Sequence, residues 1–263
     1  MLKKLMKYDL IWINKFMVYF FTLSLLFACI CKVTNSNLDT TVGLIIDKIC
    51  SCIEISCLVS CAINCIMRVW VRFKNNIYKD ESYLTHTLPV NKNQIWNSKV
   101  LSGIISLLLA TIVILACIMI VYLNSTTIES LKSTFDNLIQ IFGKNQTILI
   151  CIGIILMVIF EILFIMLSGM FGIIVGFRCN NGKIIRSVFV GIMMYGFLSS
   201  LLLIIMYIFS RFNSVFMELY TSGLPSPTAL KMLVIVSLVI YGIYNVGYYF
   251  ACRKLLNKGV NVV

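Results

Sequence analysis

The chain has 263 residues, 60% of them hydrophobic and only 12% charged, and its 22 Lys and Arg against 10 Asp and Glu leave a net charge of +12. An average soluble domain is about 45–50% apolar and about 25% charged, so a water-soluble fold is excluded: this much apolar surface has nowhere to hide. The basic excess on an oily body points to a polytopic membrane protein with basic loops, and away from a nucleic-acid binder, whose cations would sit on a polar surface.

A helix needs about 20 mostly apolar residues to cross the ~30 Å hydrocarbon layer. The opening MLKKLMKYDLIWINKF sets Leu2, Leu5, Met6, Leu10 and Ile13 at helical spacing, with Lys3, Lys4 and Lys7 toward the other side. That spacing predicts an amphipathic helix over residues 1–15, lying in the membrane interface before the chain turns inward. A basic extension that merely obeys the orientation rule is the plainer alternative, and the periodicity disfavours it. The first span follows, from about Ile11 to Cys31, with Lys15 close enough to its end to snorkel toward the headgroups. No small-residue cleavage site follows this run, so no cleavable signal peptide is expected.

The second span runs from about Thr41 to Met67 and carries Asp47, Lys48 and Glu54, so one third of it is unusually polar. Within it Cys57, Cys61 and Cys65 recur at four-residue steps beside Ser56, Ser60 and Asn64. As metal ligands they lack partners, since the one histidine, His86, lies in a loop. Close helix packing by small residues is the better account. The count of 11 cysteines is odd, in a chain too long for a small secreted disulfide scaffold. Cys29, Cys50, Cys57, Cys61, Cys117 and Cys151 lie inside apolar runs and read as small buried hydrophobes. A bridge between the pair Cys29/Cys31 and the pair Cys50/Cys52 is the lesser alternative.

The loop over residues 68–99 is the most informative stretch. Pro89 stops or delays a helix, Asn91 is placed to cap the next, and Gln94 stands three residues on in a capping-box arrangement, so a helix is predicted from near Lys92 into the third span. The acidic pair Asp80 and Glu81 leads into Tyr83, Leu84 and Leu88, a short amphipathic element. Apolar and aromatic residues on a charged loop suit a docking surface. A loop packed against its own membrane domain has the same composition.

The third span, Val100 to Leu123, and the fifth, Ser187 to Ser210, contain no charge. The fourth, Thr147 to Phe177, is interrupted only by Glu161 and exceeds one crossing, so it must tilt, break or project. Glu54 and Glu161 are acids within apolar helices, where a lipid-facing charge costs about 2.5 kcal/mol or more. Two readings stand side by side: they line a route for cationic or amphipathic cargo, or each is a protonated carboxyl in an interhelical hydrogen bond. Ser168, Gly172 and Gly176 form a small-residue stripe that permits close helix approach, either between subunits or within the chain. The sixth span, Met232 to Cys252, puts Tyr241, Asn245 and Tyr248 on roughly one face, available to cargo or to another helix. Two larger loops, Asn124 to Gln146 and Arg211 to Lys231, complete the chain. The prolines of GLPSP in the second of them suit a short re-entrant turn.

Lys and Arg mark the cytoplasmic side. Sixteen fall in the amino terminus, the loops after the second and fourth spans and the carboxyl tail, against six elsewhere. Both termini are therefore expected in the cytoplasm. No nucleotide site is expected in this chain: Gly176 and Gly182-Lys183 bracket five residues where a phosphate-binding loop needs four, and Ile184 stands where Ser or Thr is required. A single histidine also rules out an HExxH metalloprotease.

The run YKDESYLTHTLPVNKNQIWNSKVLSG resembles the loop between the second and third spans of type-2 ATP-binding-cassette exporter permeases of Gram-positive bacteria. There an acidic residue and Tyr-Leu lead to Leu-Pro-Val, then to a helix whose Gln-Ile and Ser-Lys precede the third span. The corresponding residues are Asp80 or Glu81, Tyr83, Leu84, Leu88, Pro89, Val90, Gln94, Ile95, Ser98 and Lys99. The resemblance implies an all-α permease of the bacterial plasma membrane with six transmembrane helices, an amino-terminal interfacial helix and a cytoplasmic coupling helix. It implies that this helix docks into separate ATPase subunits, which hold the ATP and Mg, and that the loop Arg178 to Arg186 makes a second contact. A second permease copy or a paralogue completes the implied assembly. Members associated with antimicrobial-peptide immunity share the size and layout, which suggests export of an amphipathic or peptide-like substrate. The rival expectations are a membrane sensor or assembly subunit that moves nothing and, less favoured for want of an internal repeat, a secondary transporter.

Overall fold

The computed structural model describes residues 2–37, 41–79, 81–87, 89–179, 181–221 and 226–258. Among them the chain forms nine helices and no strand: α1 (Leu2–Asn37), α2 (Thr41–Tyr78), α3 (Ser82–Thr87), α4 (Lys92–Tyr122), α5 (Ser125–Phe142), α6 (Lys144–Gly176), α7 (Lys183–Phe212), α8 (Ser214–Thr221) and α9 (Pro227–Asn257). Six of these, α1, α2, α4, α6, α7 and α9, are long and apolar enough to cross a membrane. The molecule is an all-α polytopic membrane protein. At 1.5 Å per residue the 36 residues of α1 extend about 54 Å, so a helix of this length projects beyond the ~30 Å hydrocarbon layer.

The amino-terminal amphipathic stretch is helical but not separate. No Gly or Pro interrupts residues 2–37, and α1 runs through residue 15 without the expected turn. The long fourth span is likewise unbroken, which leaves tilt or projection to absorb its 33 residues. Where α4 begins, Asn91 takes the extended N-cap backbone, and its carbonyl accepts from the amides of Gln94 (2.8 Å) and Ile95 (3.2 Å). The side-chain bond of the expected capping box is not made. Two stretches read as loops contain helices. One is α5, whose Ile128, Leu131, Phe135, Leu138 and Phe142 recur at helical spacing. The other is α8, whose first amides, on Val215 and Phe216, donate to Asn213 Oδ1. In GLPSP, Ser226 caps α9 by accepting from the Ala229 amide at 3.3 Å, and Pro227 takes the first helical turn, where its missing N–H costs nothing. The re-entrant turn expected in GLPSP falls largely on residues 222–225, outside the described residues.

The chain packs as two compact units whose division falls within α5, after Leu131. In the first, α1 packs along both α2 and α4, and α3 rests on α2. Small side chains let these helices approach: Ser24 and Ala28 on α1, Cys61 and Cys65 on α2, and Ser102, Gly103, Ser106 and Ala110 on α4 are all buried. In the second unit α6 packs along both α7 and α9, and α8 bridges α7 and α9. Large apolar side chains cover the outer faces, among them Ile112, Leu203 and Val239. Water would not tolerate that surface; lipid tails solvate it.

All eleven cysteines are free. Cys61 and Cys117 are buried as expected and Cys50, Cys57 and Cys151 half-buried, but Cys29 is exposed. Membrane helices put apolar residues outward as readily as inward, so an apolar run does not say which way a cysteine points.

Candidate functional site

Beneath α3 lies a buried ionic lattice built around Asp9 of α1. Asp9 is 1% exposed. Its carboxylate accepts from Lys99 Nζ at 2.6 and 2.7 Å, from Arg72 Nε at 2.8 Å and from Asn76 Nδ2 at 3.2 Å. Arg72 also pairs with Glu81 at 2.6 Å, and Thr85 of α3 donates to Asn76 Oδ1 at 2.7 Å. Two acids and two bases thus meet in one charge-balanced group that joins α1, α2, α3 and α4. Aromatic rings seal it: the Arg72 guanidinium lies 5.2 Å from the Trp12 ring centre, the Arg68 guanidinium lies 3.6 Å from that of Phe16, and Phe73 meets Trp96 edge-on at 5.9 Å. Charges withdrawn from water need such mutual satisfaction, because each alone costs several kcal/mol.

The lattice orients α3. Its polar residues Ser82 and Thr85 turn inward and are buried, while Tyr83 and Leu84 are 75% and 66% exposed. Pro89 is exposed, and Glu81 turns back to Arg72. Of the six residues expected to dock a partner, Glu81, Tyr83, Leu84 and Pro89 can be placed; Asp80 and Leu88 lie outside the described residues. Asn76 and Thr85 carry no signal in the sequence, Asp9 and Arg72 read there only as charges on the cytoplasmic side, and Lys99 only as a loop charge and one of the residues of the family resemblance. One signal was present: Asp9 falls one turn from Leu5 and from Ile13, an acid on the apolar face of an amphipathic helix.

Glu54, on α2, is 2% exposed and neither carboxylate oxygen has a hydrogen-bond partner among the described residues. It lies one helical turn from Cys50 and from Leu58, which pack against Ala28, Cys31, Cys117 and Val121. Cys65 Sγ donates to the Ser106 carbonyl at 3.5 Å, and Cys61 is fully buried. Beside these residues, an open groove of about 340 Å³ is lined by Phe20, Leu23, Cys52, Ile53, Ser56, Cys57 and Ser60.

In the second unit Glu161, Tyr241 and Asn245 come together on the seam of α6 and α9. Asn245 Nδ2 donates at 3.0 Å to the carbonyl of Phe160, the residue before Glu161, and the Tyr241 ring, one turn before Asn245, lies 5.8 Å from that of Phe164. One turn along α6, the fully buried ring of Phe164 is surrounded by Tyr195, Tyr241, Tyr244 and Tyr248, with ring centres 5.2–5.8 Å away. Ser168, Gly172 and Gly176 lie against α7 of the same unit. A Cβ on Gly172 would stand 2.5 Å from the Ser187 carbonyl oxygen, and one on Gly176 would collide with Ser187 itself. Arg178 donates to the Leu255 carbonyl at 2.5 Å, tying the loop after α6 to the end of α9, and Gly182 starts α7 in the left-handed region at φ 64°.

No group of three His, Cys, Asp or Glu among the described residues is placed to hold a metal ion. Comparison with known proteins returns no matching family model, no matching curated protein and no matching solved structure.

Proposed function

We propose that this chain is the permease subunit of an ATP-binding-cassette exporter of the bacterial plasma membrane, with both termini and α3 in the cytoplasm. Separate ATPase subunits bind ATP and Mg, a second permease copy or paralogue completes the transporter, and the cargo is amphipathic or peptide-like, such as an antimicrobial peptide. The observation that carries this reading is α3: a six-residue helix that buries its polar side and displays Tyr83 and Leu84, on a buried ionic footing that reaches α1, α2 and α4. A short helix so anchored carries force from a docked partner into three spans, which a free loop cannot do. The resemblance of residues 78–103 to the loop of such permeases supports the same assignment.

The test is purification of the tagged chain from its own host with identification of the subunits that accompany it. An ATPase is expected, and Tyr83→Asp with Leu84→Asp should lose it while the chain keeps its helical content and membrane insertion. Retention of the ATPase and of cargo export by the double variant would overturn the docking role.

A further inference from the structure

Glu161 sits halfway along α6, fifteen residues from Gly176 and therefore about 22 Å from that end of the helix. An acid at mid-span is expensive, and among the described residues no Lys or Arg pairs with it. Its surroundings are not those of an inert carboxyl. Three polar atoms on the facing stretch of α9, Tyr244 Oη, Asn245 Oδ1 and Tyr248 Oη, are buried without a hydrogen-bond partner among the described residues. Four tyrosine rings stand around Phe164 one turn away. Glu161, Tyr195, Tyr241 and Tyr244 are only half-buried, so the cluster opens at the surface of its unit.

These features share one chemical preference. A carboxylate, an amide oxygen and phenol oxygens accept hydrogen bonds, and the faces of tyrosine rings attract positive charge. No Lys or Arg pairs with Glu161 among the described residues, so nothing there would hold an anion. A divalent metal ion would find a single carboxylate where it needs several hard oxygen ligands. We infer that Glu161, Tyr241, Tyr244, Asn245 and Tyr195 form a binding site for a monovalent organic cation, an ammonium or guanidinium group carried on an apolar body. The acid holds the charge, the unpartnered oxygens of Tyr244 and Asn245 take its N–H donors, and the tyrosine rings flank it. This rests on the transport reading, since it names the part of the cargo recognised at mid-membrane: a lysine or arginine side chain, or an amine, of an amphipathic molecule.

The experiment needs no ATPase. Octylguanidinium and its neutral isostere octylurea are titrated into the full chain in phosphatidylcholine nanodiscs, with empty nanodiscs subtracted. Saturable binding of octylguanidinium is expected, with octylurea at least about tenfold weaker, the scale of one charge-assisted hydrogen bond. Glu161→Gln should weaken octylguanidinium by about the same factor. Tyr241→Leu should weaken it severalfold, whereas Tyr241→Phe, which keeps the ring, should lose less. Should Glu161→Gln fail to fold, Tyr241→Leu against Tyr241→Phe decides the matter. Equal binding of octylurea, binding indifferent to both substitutions, or no saturable binding to the unaltered chain would overturn the site. A chain that binds octylguanidinium yet recruits no ATPase would overturn the exporter assignment and leave the cation site standing.

Discussion

Asp9 neutralises two buried cations at once, and its removal is felt at both. In Asp9→Asn the amide keeps the volume but loses the charge, leaving Lys99, 3% exposed, without a counter-ion and Arg72 with only Glu81. Stripping one partner from a buried ion pair typically costs about 3–5 kcal/mol, and Asp9→Asn should fall in that range. Lys99→Met should cost less, because Asp9 retains Arg72 and Asn76. Glu81→Gln should stay within about 1 kcal/mol, since that side chain is 40% exposed and water screens it. Thermal unfolding in detergent, followed by the fluorescence of the three tryptophans, two of which, Trp12 and Trp96, stand beside the lattice, ranks the three variants. An unchanged midpoint for Asp9→Asn would show that the lattice contributes nothing to stability.

At the scale of elements, the approach of α6 to α7 is set by two glycines, and the geometry separates them from glycines that do nothing similar. A methyl group on Gly172 would press on the Ser187 carbonyl and on the backbone of Gly191, 2.5 and 2.7 Å away, where neither helix can yield without moving. Gly172→Ala should destabilise the protein by about 1–3 kcal/mol through overpacking. Gly196→Ala in α7 and Gly242→Ala in α9 meet nothing within 4 Å and should be neutral or mildly stabilising, since alanine is the better helix former. Melting temperatures of the three variants test the contrast; equal shifts would show that the seam is loose. The stripe Ser168, Gly172 and Gly176 was legible in the sequence because small residues four apart leave few alternatives. Its partner was not, because spacing along one helix carries no information about which neighbour fills the gap. The same limit explains Asp9: its helical face can be read from spacing, but the cations that meet it come from positions 72 and 99, and only packing brings them there. The short α3 was legible through Tyr83 and Leu84, whereas its inward residues Ser82 and Thr85 carried no signal, being common in any polar loop. Helix α5 reads as a loop in the sequence because only one of its faces is apolar, and Glu129, Lys132 and Asp136 interrupt the run that a membrane span requires.

For the whole molecule, the charge pattern and the α3 site make one joint demand on topology. Six crossings, an even count, would put residues 2 and 258 on one side, and the sixteen Lys and Arg grouped with them should hold that side in the cytoplasm. The loop holding α3 follows the second span and should share that side, as the proposed docking role requires. Helix α5 follows the third span and should lie outside, where its exposed Ile128, Leu131 and Phe135 meet the outer headgroup layer. Alkaline phosphatase, which folds only in an oxidising compartment, reads this directly when fused after chosen residues. Fusion after Gln140 should be active, and fusions after Thr87 and after Asn257 inactive. The opposite pattern would put α3 on the outer surface, where no ATP-binding subunit could reach it, and the exporter assignment would fall with the orientation.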